Sequence, residues 1–229
     1  MLRLLGFFVG AILLMNVLRA VPGVGGLFHG FLGFWLSVAL VAVLASQGSE
    51  WLIARRRLAN SIRALGHVDS PHNRGKLGSL YAGHRRFAQA LPHLEAACAG
   101  EPDFAEWHFR RGQALAALGK PGDALESFER AAAIDEDHAY GAVQLAQAKV
   151  HAALGLHELA LEDLDHFERG HGPSPESAYR RGRALRALGR RGEAADAFRD
   201  VSKLAATAAR FQRKHHREWV FRAWLARLA

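Results

Sequence analysis

Apolar positions along this chain follow two regimes. Up to residue 49 they are nearly continuous: fifteen uncharged residues separate Arg3 from Arg19, and thirty separate Arg19 from Glu50, with only His29 ionisable between them. From residue 71 to 201 they recur three or four places apart, in stretches such as 107–118 and 121–133, which is the spacing of a helix with one buried face. Alternating Val/Ile/Thr runs bounded by turn residues, the mark of strands, are missing. A short break with Gly119 joins the two stretches just named. Pro121 falls where the second one starts, in a first turn that does not need its missing N–H. The pattern predicts an all-α chain.

The second regime repeats. Gly78, Tyr81, Ala90, Leu94, Ala97 and Pro102 recur 34 residues later as Gly112, Leu115, Ala124, Phe128 and Ala131, with Glu136 in the proline's place. Gly155, Ala160, Leu164 and Phe167 form a third copy displaced by 36, so it carries two extra residues. Gly182, Leu185, Gly189, Ala194 and Phe198 return to 34. Small residues at repeat positions 8 and 20 let two helices approach closely, and the large residue at 24 fills the space beside them. One such hairpin cannot bury its apolar face alone, so neighbours must stack. The expectation is four stacked hairpins at 71–104, 105–138, 139–174 and 175–201, the two extra residues lengthening the first helix of copy three over 139–154. This period and these residues resemble the tetratricopeptide repeat (TPR) family over about 130 residues. The departures are Ala148 at position 8 of copy three and the lack of Trp at position 4. The resemblance implies an α-solenoid.

Residues 202–229 do not begin another 34-residue copy and read as one long helix with Phe211, Trp219, Val220, Phe221, Trp224, Leu225 and Leu228. Such a helix caps the exposed edge of the last hairpin, or lies on a membrane surface.

Residues 1–49 read as a two-helix transmembrane anchor and 50–70 as a basic juxtamembrane helix and linker. The second apolar stretch, which contains 31–45, is long enough to span a bilayer. The first is shorter and is a retained helix, a cleaved signal or an interfacial helix, although no Ala-x-Ala site precedes Val21. Gly6/Gly10 and Gly26/Gly30 have GxxxG spacing, which lets membrane helices touch and assemble. Arg55, Arg56, Arg57 and Arg63 follow the second stretch, whereas the connection has only Arg19 at its edge. Both ends are therefore expected in the cytoplasm, with the chain in the inner (cytoplasmic) membrane.

Charge supports that placement. The net +8 divides into +4 over residues 1–70, −2 over the repeats and +6 over 202–229. A basic excess confined to the flanks suits anionic membrane lipid, with Arg55, Arg56 and Arg57 at its surface. It accompanies no nucleic-acid motif, so no nucleic-acid partner is expected. Catalytic chemistry is not legible: no phosphate loop, nucleophile elbow, zinc-helix motif or dinucleotide fingerprint occurs. The thirteen histidines do not cluster, as His215 and His216 point apart on a helix and His166 and His171 are five residues apart. Cys98 reads as a small core residue. No enzyme, metal or cofactor is expected.

The resemblance also implies where a partner would sit. In such arrays positions 2, 5, 9, 12 and 13 of each first helix face a concave groove. Position 5 is Gly75, Phe109, Leu145 and Tyr179, position 9 is Ser79, Gln113, Lys149 and Arg183, and Arg186 is at position 12 of copy four. The groove would be an apolar stripe that turns basic toward its C-terminal half; alternatively Phe109, Leu145 and Tyr179 pack on neighbouring helices. The family's clamp for chaperone C-termini needs Lys and Asn at positions 5 and 9 of the first copy, where Gly75 and Ser79 stand, so that client is excluded. The Ala/Arg/Gly-rich composition points to a bacterial chain. The expected function is a membrane-tethered scaffold that holds a protein or peptide client. The alternative is a permanent structural subunit of a membrane complex held through the hairpin.

Overall fold

The computed structural model describes residues 12–13, 16–17, 20, 35, 38–40, 42, 56, 59–208 and 213–228. The chain divides into two units, Met1–Ala64 and Leu65–Ala229. In the first, all described residues but Ala20 are helical, and the Asn16 amide donates to the Ile12 carbonyl at 3.0 Å. No helix of the described residues is long and apolar enough to cross a membrane. Most of the expected hairpin at 1–49, its GxxxG glycines, and Arg55 and Arg57 lie outside the described residues, whereas Arg56 is described and exposed.

The second unit is built of α1 (Pro71–Gly83), α2 (Phe87–Gly100), α3 (Ala105–Ala117), α4 (Pro121–Ile134), α5 (Ala142–Ala153), α6 (His157–His171), α7 (Pro175–Ala187), α8 (Arg191–Thr207) and α9 (Arg213–Leu228). Among the described residues there is no strand. The pairs α1–α2, α3–α4, α5–α6 and α7–α8 form hairpins, and each following first helix packs on both helices of the hairpin before it. All four buried apolar clusters lie inside this unit.

The repeat spacing has a direct packing cause. A Cβ on Gly112 would stand 2.5 Å from the Phe128 ring, one on Gly182 2.6 Å from Phe198, and one on Gly78 2.6 Å from Leu94. The first helix thus touches its partner through bare backbone, and the large residue at position 24 covers that contact. Copy three uses a different combination at the same two positions: Ala148 and the smaller Leu164, both buried. Compared with copies two and four, the added methyl of Ala148 is offset by the smaller Leu164.

Local signals set the ends. Ser70 caps α1, its hydroxyl accepting from the Asn73 N–H at 3.2 Å, and Pro71 follows at the first turn. Ser174 and Pro175 do the same for α7, where Ser177 completes a reciprocal cap. The turns inside the hairpins need a left-handed residue, supplied by Gly119, Gly155 and Gly189 at φ 76°, 78° and 79°. Copy one uses Arg85 at φ 59°.

Two expectations are corrected. The first helix of copy three is the shortest of the four, with 12 residues against 13 in the others. The extra residues enter the turn before it, where Ala139, Tyr140 and Gly141 have φ of 51°, 55° and 71°, so the helix cannot begin until Ala142. The 202–229 segment is not one helix either. α8 runs on to Thr207, Ala208 is extended at φ −64° and ψ 150°, and α9 is separate.

Candidate functional site

The proposed groove residues meet different fates. Phe109 is 5 % exposed, with its ring 5.9 Å from Phe128 and 5.5 Å from His138. It is core, and its expected role as contact area is withdrawn. Arg186 is also engaged: its guanidinium donates to the Ala226 carbonyl at 2.7 Å and lies 5.1 Å from the Phe198 ring centre. Tyr179 is half-buried between Phe198 and Trp219, with ring centres 6.0 and 5.6 Å away. Gln113 is half-buried and accepts from Arg110 at 3.2 Å.

Leu145, Lys149 and Arg183 remain presentable. Leu145 is half-buried, and Lys149 and Arg183 are exposed. No ion pair holds either cation among the described residues; Arg183 makes only a long 3.5 Å contact with the Tyr179 hydroxyl. The carboxylates at position 2 are matched locally. Glu106 accepts from Arg110 at 2.6 Å and faces His138 at 2.7 Å, and Glu176 accepts from Arg180 at 2.9 Å. Copies three and four thus carry a half-buried Leu145 and two exposed cations, Lys149 and Arg183, with no ion pair among the described residues, a combination that favours an acidic segment with an apolar residue.

Elsewhere the chemistry is structural. Burial pushes the Cys98 thiol up to about 11, which removes it as a nucleophile at neutral pH. The Trp107 indole N–H donates to Glu101 at 2.6 Å and, with His72, holds that carboxyl below its usual range. Among the described residues no three His, Cys, Asp or Glu side chains are placed to hold a metal ion.

One element escaped sequence reasoning. Trp219 of α9 rests on Tyr179, as Trp107 of α3 rests against Gly75. Arg186 reaches Ala226, as Ala82 lies in the cluster of Ala114 and Ala116 in that of Val150. These contacts put Trp219, Ala223 and Ala226 in register with Trp107, Arg111 and Ala114: α9 docks as the first helix of a fifth repeat. The signal was hidden because Trp219 follows its counterpart Ser177 by 42 residues rather than 34.

Residues 76–139, which include α3, α4 and most of α1–α2, match the family model described as Tetratricopeptide repeat. Over that span the hairpins are tetratricopeptide repeats. The TPR fold recurs in solved structures similar to this chain. A crystal structure of MamA matches at 19 % identity over 66 % of this chain and 90 % of its own, with a TM-score of 0.60. YrrB, described as a TPR protein with an unusual peptide-binding site, matches at 17 % identity over 82 % and 89 %, with a TM-score of 0.60. TTC0263, a thermophilic TPR protein in Thermus thermophilus, matches at 18 % over 80 % and 96 %, also with 0.60. At these identities the likeness is one of fold.

Proposed function

We propose that this TPR protein is a non-catalytic scaffold that holds an acidic, apolar-anchored segment of a partner protein in its concave groove. The observation that carries the reading is that Leu145 is half-buried while Lys149 and Arg183 are exposed and take part in no ion pair among the described residues. The peptide-binding site named for YrrB, a protein of the same fold, agrees with it. Burial of one apolar anchor contributes roughly 1.5–3 kcal/mol, and the two cations mainly speed encounter and select charge.

We further propose that the N-terminal apolar stretches tether the chain to the inner membrane with the repeats in the cytoplasm. The described apolar side chains there support this: Ile12, Leu13, Val17 and Leu40 are helical and exposed. Arg55, Arg56 and Arg57 would then lie against anionic lipid.

Phe109 is core, so the informative variants are Leu145→Ser and the double reversal Lys149→Glu/Arg183→Glu. A photocrosslinking side chain at Leu145 in intact membranes should trap a protein segment, and the double reversal should abolish the crosslink. An unaltered crosslink pattern would remove the groove reading. A reporter fused at Ala229 that is active only outside the cytoplasm would overturn the orientation.

A further inference from the structure

α9 has two apolar faces. Trp219, Ala223 and Ala226 face the preceding hairpin, whereas Phe221, Trp224, Leu225 and Leu228 are 59, 53, 46 and 69 % exposed. Phe221 and Trp224 stack with ring centres 6.1 Å apart. Together the four follow a three-four spacing, which puts them on one side of the helix. Beside them, α8 and α9 enclose an open groove of about 520 Å³, walled by Phe198, Ala205, Ala206, Val220, Phe221 and Trp224 and flanked by Arg217 and Arg227.

The repeat register explains this groove. On that side each complete first helix receives the second helix of its own hairpin, at a Gly or Ala in position 8. In α9 the equivalent residue is Trp224. Because even a Cβ at Gly112 would lie 2.5 Å from Phe128, an indole forbids that close approach. The groove is therefore closed to another TPR second helix and open to a helix riding on the indole at the ordinary interaxial distance of about 8–10 Å.

We propose that this groove docks an amphipathic helix of a partner protein that carries carboxylates beside its apolar stripe. Charge selects the partner: the α9 sequence bears Arg213, Lys214, Arg217, Arg222 and Arg227 against Glu218 alone, and Glu218 is held by Arg222 at 2.6 Å. A second copy of α9 would bring like charges together. Shape argues against a bilayer, because a flat surface meets the α9 ridge but not Ala205 and Ala206 on the second wall. The alanines let a rod about 10 Å wide settle between the two helices.

The test uses residues 65–229, whose buried clusters are all internal. The probe is a synthetic helix of about 18 residues with leucines at three-four spacing and flanking glutamates, compared with its lysine-flanked counterpart and with phosphatidylglycerol and phosphatidylcholine vesicles. The glutamate peptide should bind at least about tenfold more tightly than the lysine peptide. Phe221→Gln/Trp224→Gln should remove that binding, whereas Lys149→Glu/Arg183→Glu should leave it unchanged, which separates this site from the concave groove. Arg217→Glu/Arg227→Glu should invert the preference toward the lysine peptide, a readout that does not depend on the aromatic variant folding. Peptide binding that survives the aromatic variant overturns the proposal. So does vesicle binding without peptide binding, or dimerisation lost with Trp224.

Discussion

α3 and α9 dock on the hairpins before them in the same way and differ on their other side. Each presents a tryptophan, Trp107 or Trp219, to position 5 of the preceding first helix. Beyond that, Gly112 of α3 lies under Phe128, whereas Trp224 of α9 stands half out in solvent. Docking onto the array and continuing the array are thus separate properties of one helix. The first depends on positions 3, 7 and 10, the second on the size of one residue at position 8.

The largest effect should come from breaking that rule where the array continues. Gly112→Ala places a methyl group against a ring that is 1 % exposed. Overpacking of this kind costs about 1–3 kcal/mol, more than the helix-propensity gain of about 1 kcal/mol. Gly112→Leu should cost well over that and leave the hairpin unfolded. Copy three shows the remedy, so Phe128→Leu added to Gly112→Ala should recover part of the loss, seen as a favourable coupling in a denaturant double-mutant cycle. Trp224→Gly should cost only about 1 kcal/mol, through helix propensity. Equal losses at Gly112 and Trp224 would show that position 8 does not separate the two helices.

A smaller effect tests the turn that brings the covering helix back. Gly119 and Arg85 hold equivalent left-handed positions. Gly119→Ala should destabilise by about 1 kcal/mol. Arg85→Gly should stabilise by less, under about 1 kcal/mol, because relief of strain is offset by the freedom glycine gains in the unfolded chain. Thermal melts of the two variants should move in opposite directions; a shift in the same direction would mean that backbone strain at Arg85 is not significant.

What could be read from sequence follows the same division. The four hairpins were legible because Gly78, Gly112 and Gly182 are forced by contact with Leu94, Phe128 and Phe198, and a forced contact repeats. The junctions are set by no repeated contact. Nothing about Ala139 or Tyr140 announces a positive φ, so the insertion was assigned to the helix after them. The groove rule failed at Phe109 because position 5 faces both solvent and the next repeat, and side-chain size decides which. Gly75 there admits Trp107, whereas a phenylalanine fills the space itself. Arg186 was misread for a reason outside its own repeat: its acceptor is the Ala226 carbonyl, on a helix whose register the 34-residue period did not reach.

The smallest effect concerns position 4, where α3 has His108 and α9 has Val220. His108 is buried: Nε2 donates to the Pro102 carbonyl at 2.8 Å, and Nδ1 has no partner among the described residues. Protonation would add a hydrogen to that unpartnered nitrogen, so burial holds the pKa below its ordinary 6.5, against the pull of the Pro102 carbonyl. A histidine depressed in the folded state contributes stability that is full above the unfolded value and lost as pH falls through it. Melting temperature should therefore decline below about pH 6.5 through this residue. Copy three again supplies the control, because Gln144 holds the equivalent place and donates to the equivalent Glu136 carbonyl at 2.9 Å. His108→Gln should keep the hydrogen bond and lose the titration. Melts of the two proteins should lie close together at pH 7.5 and separate progressively toward pH 5, with the variant the more stable. Parallel curves over that range would show that His108 takes up its proton without penalty and that another group sets the acid limit of the solenoid.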